Sequence, residues 1–242
     1  MSKGAVYRDH GIVLRTYKLG EADRIVVFIT QGRGKVRAVA KGVRKTRSKF
    51  GARLEPMSHV ALQLYEGREL DVVTQAESVD QFRTIREDLD RLGRATTMLE
   101  AVDQMAQERE ENPRLYQMLL GALRSLAAHD SPLVVGAFYW KLLAQEGFGP
   151  ELDVCVSCGE DDVELTAFDL HEGGALCRSC RSGSPISADA LDLMRMVLGG
   201  HLATALALPE SPASREVEHL ATRAMEHHLE RRLRSVGVMD RH

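Results

Sequence analysis

Apolar residues in the first 80 positions recur at every second residue within short segments, as half-buried β-strands require. Val60, Leu62 and Leu64, for example, alternate with Ala61, Gln63 and Tyr65. Five short strands with one long connection between the third and fourth predict a small β-barrel of the OB-fold type, and an SH3-like barrel fits the count nearly as well. The predicted strands span residues 11–17, 23–30, 35–41, 59–65 and 70–77.

After residue 80 the spacing of apolar residues changes to three- and four-residue steps, which is typical of helices. One apolar stripe from Phe82 to Met105 predicts a single helix there. Capping residues followed by proline at Asn112, Ser131 and Ser211 predict three further helix starts, because proline at the first helical position loses no hydrogen bond. Together with a cap at Ser187, they predict helices over 113–128, 132–146 and 188–198 and a last helix from 212 that ends before Gly237.

The change of spacing predicts an α+β chain with two domains, a barrel over residues 1–80 and an all-α domain over 81–242. Charge supports the division, although the 242 residues carry a net charge of only −3. Residues 1–80 hold 15 Lys/Arg and 9 Asp/Glu, whereas residues 81–242 hold 17 and 26. A basic half and an acidic half predict separate partners for each.

The longest strongly apolar stretch, residues 133–140, is far too short to span a bilayer, and the first residues lack the apolar core of a signal peptide. We therefore expect no membrane association and a reducing, cytoplasmic location. In such a compartment cysteines more often bind metals than form disulfides.

Four cysteines form two CxxC pairs, Cys155 with Cys158 and Cys177 with Cys180, separated by 18 residues. Pairs at this spacing converge on one tetrahedral site, for which four thiolates favour Zn²⁺. Because four protein ligands leave no position for water, we expect one structural zinc ion. A thiol–disulfide pair and cysteines without a present role are the alternatives.

The segment that carries these cysteines, residues 150–183, is predicted to be a zinc ribbon inserted into the all-α domain. It contains eight Asp/Glu but only two arginines, Arg178 and Arg181, so it would repel phosphates. We interpret the ribbon as a scaffold rather than a nucleic-acid reader. His171 lies within it, but the four thiolates already complete the coordination shell, so His171 is interpreted as a surface residue.

A run of like charge stands out between residues 31 and 54, where nine cations occur and no Asp or Glu. Surface charges are usually of mixed sign, because unrelieved repulsion destabilises a compact fold. The run therefore predicts a nucleic-acid-binding loop that follows the phosphate backbone. A membrane surface, an acidic protein and a merely solvated face are the alternatives. The predicted DNA-binding residues are Arg33, Lys35, Arg37, Lys41, Arg44, Lys45, Arg47, Lys49 and Arg53.

No arrangement typical of catalysis appears, since the chain has no phosphate-binding Walker loop, no GxSxG and no HExxH. His219, His227 and His228 on the last helix are interpreted as surface or helix-packing residues. We therefore predict no catalytic residues and no enzymatic activity.

Three features in order resemble a known family over nearly the whole chain. They are YRDHGIVLRTYKLGEADRIVVFIT, then GRGKVRAVAKGVRKTRSKFGARLEP, then a helical half interrupted by CxxC…CxxC. These resemble the RecO family of bacterial DNA repair and recombination mediators.

The resemblance implies an N-terminal OB-fold, a helical C-terminal domain and a role without enzymatic activity. It implies binding and annealing of single- and double-stranded DNA. It also implies contacts with the acidic tail of single-strand-binding protein and with RecR, and an indirect role in loading RecA in the nucleoid. By position, the nine cations above become the DNA-binding residues and the four cysteines the zinc ligands. An RNA-binding or ribosome-associated barrel protein with an accessory zinc ribbon is the alternative.

Overall fold

The structure, a computed structural model, describes residues 5–129, 131–230 and 233. The chain divides into two compact units, of which the first extends to Ala127 and the second spans Ala128–Leu233. The change from strands to helices falls after Asp80, whereas the compact units divide near residue 127, so the first helices belong with the strands. The domain boundary expected at residue 80 stays a prediction.

The first unit contains a closed five-stranded barrel in the order β1-β2-β3-β5-β4. All neighbours are antiparallel except β3 and β5, which pair in parallel through Ala38 with Asp71 and Val39 with Val72. This topology confirms the predicted OB-fold type of barrel. The strands are β1 (Val6–Leu19), β2 (Asp23–Thr30), β3 (Gly34–Ala40), β4 (His59–Tyr65) and β5 (Asp71–Asp80).

The barrel core follows from the alternation along each strand. On β3, Val36, Ala38 and Ala40 are buried among the barrel's apolar residues, while the intervening Lys35 and Arg37 lie on the other face. β1 is longer than predicted, because its first half pairs with β4 and its second half with β2. Its pairing with β2 shifts register between Val13 and Arg15, shortly after its pairing with β4 ends at Ile12.

Three helices complete the first unit. The prediction of one helix from Phe82 to Met105 is wrong, because Asp88 adopts an extended backbone and its carboxylate accepts a hydrogen bond from Arg91 N. Asn112 caps the third helix as predicted, since its Oδ1 accepts from Leu115 N at 3.0 Å. The helices are α1 (Arg83–Arg86), α2 (Leu89–Met105) and α3 (Pro113–Ala128).

The second unit combines helices with a small sheet in the order β7-β6-β8. Ser187 and Ser211 cap the helices that were predicted to begin after them, and the Ser211 cap is a full capping box with Ser214. The short helix α6 and the three short strands were not predicted, and the expected continuation of the last helix toward Gly237 lies outside the described residues. The elements are α4 (Val134–Gln145), β6 (Leu165–Asp169), β7 (Gly174–Cys177), β8 (Ser184–Pro185), α5 (Ala188–Leu198), α6 (Leu202–Leu206) and α7 (Pro212–His228).

In the part of the chain that the structure describes, no helix combines the length and the apolar character needed to cross a bilayer.

Candidate nucleic-acid interface and metal centre

The nine cations of the basic run lie in two different settings. Three precede or belong to β3, and six belong to the connection that leads from β3 to β4. We call the first set the strand cations, Arg33, Lys35 and Arg37, and the second set the loop cations, Lys41, Arg44, Lys45, Arg47, Lys49 and Arg53.

The connection is anchored in the barrel core by two apolar side chains. Phe50 and Leu54 are each 1% exposed and belong to the barrel's apolar cluster. Between them the chain forms a short 3-10 helix, Gly51–Leu54, which also contacts β5. The connection is therefore fixed to the barrel at this point, and the loop cations project from an anchored segment.

Hydrogen bonds join the start of the connection to the turn between β1 and β2. Arg44 N donates to Ala22 O at 2.9 Å, and Gly42 N donates to Asp23 Oδ1 at 2.7 Å. The Arg44 guanidinium also donates to Gly20 O at 3.3 Å. The β1–β2 turn is one of the loops through which OB-folds bind oligonucleotides, so the loop cations lie beside an edge suited to a nucleic acid.

All six loop cations are exposed. Their hydrogen bonds with backbone carbonyls, such as Lys49 Nζ to Thr74 O at 2.9 Å and Arg53 Nη1 to Lys49 O at 2.7 Å, leave the positive charge without a counter-charge. Among the described residues, no carboxylate lies within 4 Å of any loop cation. Their charge is therefore available to an anionic partner.

The strand cations, by contrast, are paired within the molecule. Lys35 is only 13% exposed, and its Nζ donates to Asp103 O at 2.7 Å and lies 3.8 Å from Asp103 Oδ1. Burial lowers the pKa of Lys35. Arg37 lies 3.4 Å from a Glu108 carboxylate oxygen, and Arg33 lies 3.6 Å from one of Glu66. The sequence prediction placed all nine cations in one site, but the structure brings only six of them to the surface unpaired.

An acidic segment after α2 covers the start of β3. Arg109 N donates to Lys35 O at 2.9 Å, which continues the sheet beside β3, and Glu108 pairs with Arg37. The segment approaches Gly34 so closely that any side chain there would overlap the Glu110 carbonyl. Sequence reasoning missed this contact, although the acidic residues between 108 and 111 are complementary to β3 in charge.

The four predicted metal ligands meet at one point of the second unit. The Sγ atoms of the four cysteines all lie within 4.8 Å of one another, and Cys158 Sγ and Cys177 Sγ are 4.0 Å apart. A tetrahedral zinc ion with sulfur at about 2.3 Å requires separations of about 3.8 Å, so the cluster could hold such an ion after a small contraction. No cysteine is in a disulfide.

The electrostatics of the cluster favour a bound cation. The backbone N–H of Cys177 donates to Cys155 Sγ at 3.4 Å. Mainly because of this hydrogen bond, the pKa of Cys155 is lowered to about 6. The hydrogen bond with Cys177 raises the pKa of Cys180 to about 12. The thiol of Cys155 is therefore more easily ionised than that of Cys180, and a divalent ion would favour the thiolate form of all four.

Comparison with known proteins matches two family models to nearly the whole chain. The model described as "Recombination protein O N terminal" matches residues 1–82, and that described as "Recombination protein O C terminal" matches residues 86–236. Two similar relatives are each named DNA repair protein RecO. That of Frankia casuarinae is 43% identical over 242 residues, covering 98% of this chain and 99% of the relative. That of a Nocardioides species is 42% identical over 245 residues, covering 98% and 100%.

Proposed function

The chain belongs to the RecO family, and on that premise we propose that it is a non-enzymatic, DNA-binding mediator of recombinational DNA repair. In this proposal it acts in the cytoplasm, at the nucleoid. The observation that carries the proposal is the set of six exposed loop cations without a described carboxylate within 4 Å.

The loop cations bind phosphates without reading bases. Lysine and arginine side chains displace condensed counterions from the nucleic-acid backbone, which gives affinity that falls steeply with salt. Only one aromatic residue, Phe50, lies among the loop cations, and it is buried, so base stacking within the connection contributes little. This chemistry suits single- and double-stranded DNA alike.

Annealing is the step that this surface promotes. Two complementary strands repel each other, and a cationic surface that screens both lowers that barrier without a covalent step. The anchored connection holds the six charges on one short segment, so both strands are drawn to the same segment. No catalytic group is required for this role.

The partners proposed from the family resemblance are the acidic C-terminal tail of single-strand-binding protein, the mediator RecR and, indirectly, the recombinase RecA. The tail is anionic, so it would compete with DNA for the loop cations if the two shared one site. We propose further that the metal is one structural Zn²⁺ held by the four cysteines, which braces the ribbon and takes no part in DNA binding.

The experiment is a fluorescence-anisotropy titration of labelled single-stranded DNA at a low and a moderate salt concentration. The variant Arg44→Ala/Lys45→Ala/Arg47→Ala/Lys49→Ala removes four phosphate contacts. We expect the slope of log K against log salt to flatten by about 3, and the affinity at moderate salt to fall by about 100-fold. A matched control, Arg178→Ala/Arg181→Ala with Lys141→Ala and Arg215→Ala, removes the same charge from the second unit and should leave binding nearly unchanged.

Unchanged affinity of the four-fold loop variant at low salt would overturn the proposed surface. Competition with RNA of the same length and sequence tests which nucleic acid the protein prefers. RNA that competes as well as DNA, or better, in annealing assays would favour an RNA-binding role. Loss of strand annealing in the loop variant, with a normal melting curve, is the result that the proposal requires.

A further inference from the structure

A cavity of about 760 Å³ lies inside the second unit and has no part in the function proposed above. Its walls come from the end of α4, the turn that follows α4, the β6–β7 hairpin of the ribbon, and the end of α7. The cavity is large enough for one or two amino-acid side chains with their backbone. The ribbon therefore does more than enclose its metal, because its hairpin forms one wall of a recess.

The floor of the cavity is aromatic. Trp140 and Phe168 meet edge to face with their ring centres 5.7 Å apart. Phe148 forms one side, packs on the His228 ring at 4.1 Å, and is 57% exposed. An aromatic side chain so exposed at the mouth of a cavity offers a face on which a planar or cationic group can stack.

The rim of the cavity is acidic. Glu172, Glu226 and Glu230 belong to the lining, and no lysine or arginine does among the described residues. Glu226 accepts a hydrogen bond from Leu233 N at 3.0 Å. Glu172 and Glu230 are exposed and, within the described chain, no cation lies within 4 Å of them. His171, His227 and His228 also line the cavity, so the rim favours a positive ligand and repels an acidic one at a pH where an ordinary imidazole is neutral.

Trp140 lies in the wall of the cavity rather than at its surface. Its side chain is 2% exposed, and its indole N–H, which has no hydrogen-bond partner within the described part of the chain, is itself buried. A ligand in the cavity would therefore meet the exposed Phe148 ring, and Trp140 would sense it from behind the lining.

We propose that this cavity binds a short segment of a partner protein in which an arginine or lysine is flanked by apolar residues. The cationic group lies against the exposed Phe148 ring and the carboxylates of Glu172 and Glu230. The flanking apolar side chains contact Phe148 and Phe168. An acidic tail is excluded by the rim, so the partner differs from one that binds the loop cations.

Trp140 is the only tryptophan of the chain, so its fluorescence reports directly on the cavity. The probes are three capped tripeptides, Leu-Arg-Leu, Leu-Gln-Leu and Leu-Glu-Leu, titrated into the full-length metal-loaded protein at about pH 8, where an ordinary imidazole is neutral. We expect the arginine peptide to change Trp140 emission saturably and to bind about tenfold more tightly than the glutamine peptide. The glutamate peptide should give no saturable change.

Two variants test whether the rim and the floor act as proposed. Glu172→Gln/Glu230→Gln should reduce the preference for arginine over glutamine by several-fold, and raised salt should do the same. The control Glu160→Gln/Asp161→Asn removes equal charge from exposed ribbon positions outside the cavity and should leave the preference intact. Phe148→Ala changes an exposed side chain and should weaken the binding of all three peptides to a similar extent.

The proposal is overturned if no peptide changes Trp140 emission saturably, or if the glutamate peptide binds as tightly as the arginine peptide. An equal loss of preference in the Glu160→Gln/Asp161→Asn control would also overturn it, since the effect would then come from net charge rather than from the rim. Because the loop cations are unchanged in every variant, DNA binding should be normal throughout, and its loss would concern the proposed function instead.

Discussion

The basic connection and the acidic ribbon are both largely irregular segments, but they are held in place by different means. Phe50 and Leu54 anchor the connection in the core of a closed barrel. The ribbon has a much smaller apolar cluster, built around Cys155, Leu176 and Cys177, in which two of the sulfurs themselves are buried. The position of the connection depends on apolar packing. The fold of the ribbon depends on what its four sulfurs bind.

Because of this difference, we expect the two segments to tolerate mutation to different degrees. The loop cations are exposed and contribute little to the packing of the barrel, so they can be replaced without loss of fold. In the ribbon the functional atoms are also the structural ones, because the cysteines that would bind the metal supply part of its core.

The largest effect should come from removing one sulfur. Cys155→Ser takes away a buried ligand, and we expect it to abolish binding of one metal ion per chain and to lower the free energy of unfolding of the second unit by more than about 5 kcal/mol. Metal content by mass spectrometry and melting followed through Trp140 measure the two effects. Chelation of the wild-type protein should reproduce them.

Ser157→Ala is the matched control, since it changes one of the two residues between Cys155 and Cys158 without removing a sulfur. Hydrogen exchange of the barrel amides should be the same in both variants. If Cys155→Ser melts like the wild type, or if the purified protein holds no metal and stays folded, the ribbon is supported by packing alone and the contrast with the barrel disappears.

A smaller effect should follow from removing the anchor of the connection. Phe50→Ala leaves a cavity in the barrel core, and we expect the free energy of unfolding to fall by about 3–5 kcal/mol. DNA affinity should fall as well, although no charge is removed, because the loop cations lose their fixed position. Denaturant unfolding measures the free energy of unfolding. A DNA titration under conditions where the variant is folded measures the affinity.

Thr46→Ala, an exposed change in the same connection, is the control and should alter neither quantity by more than about 0.5 kcal/mol. Wild-type DNA affinity in a folded Phe50→Ala variant would show that the cations act as a flexible chain, and that anchoring is not needed.

Local patterns predicted most of the elements and both candidate sites. The CxxC spacing predicted that the four cysteines cluster, and Asn112, Ser187 and Ser211 marked helix starts that the structure confirms. Contacts between distant residues lie beyond such patterns. Lys35 Nζ donates to the carbonyl of Asp103, 68 positions away, and lies 3.8 Å from its carboxylate, and no local pattern of charge reveals that pairing.

The cavity of the second unit was beyond sequence reasoning for the same reason. His171 was interpreted as a surface residue and His227 as a surface or helix-packing residue. Both are exposed, and their rings lie 4.6 Å apart at the rim of the cavity. Their proximity depends on how the β6–β7 hairpin packs beside the end of α7. The spacing of residues within either element does not determine that arrangement.

We expect a cation to contribute to DNA binding only where no carboxylate of the same chain neutralises it. The most direct test compares two variants of equal charge, Arg44→Gln/Lys45→Gln in the loop and Arg33→Gln/Arg37→Gln at the strand, in titrations of single-stranded DNA over a series of salt concentrations. We predict that the loop variant flattens the salt slope by about 1.4, and that the strand variant changes it by less than half as much. Equal losses in the two variants would contradict the account.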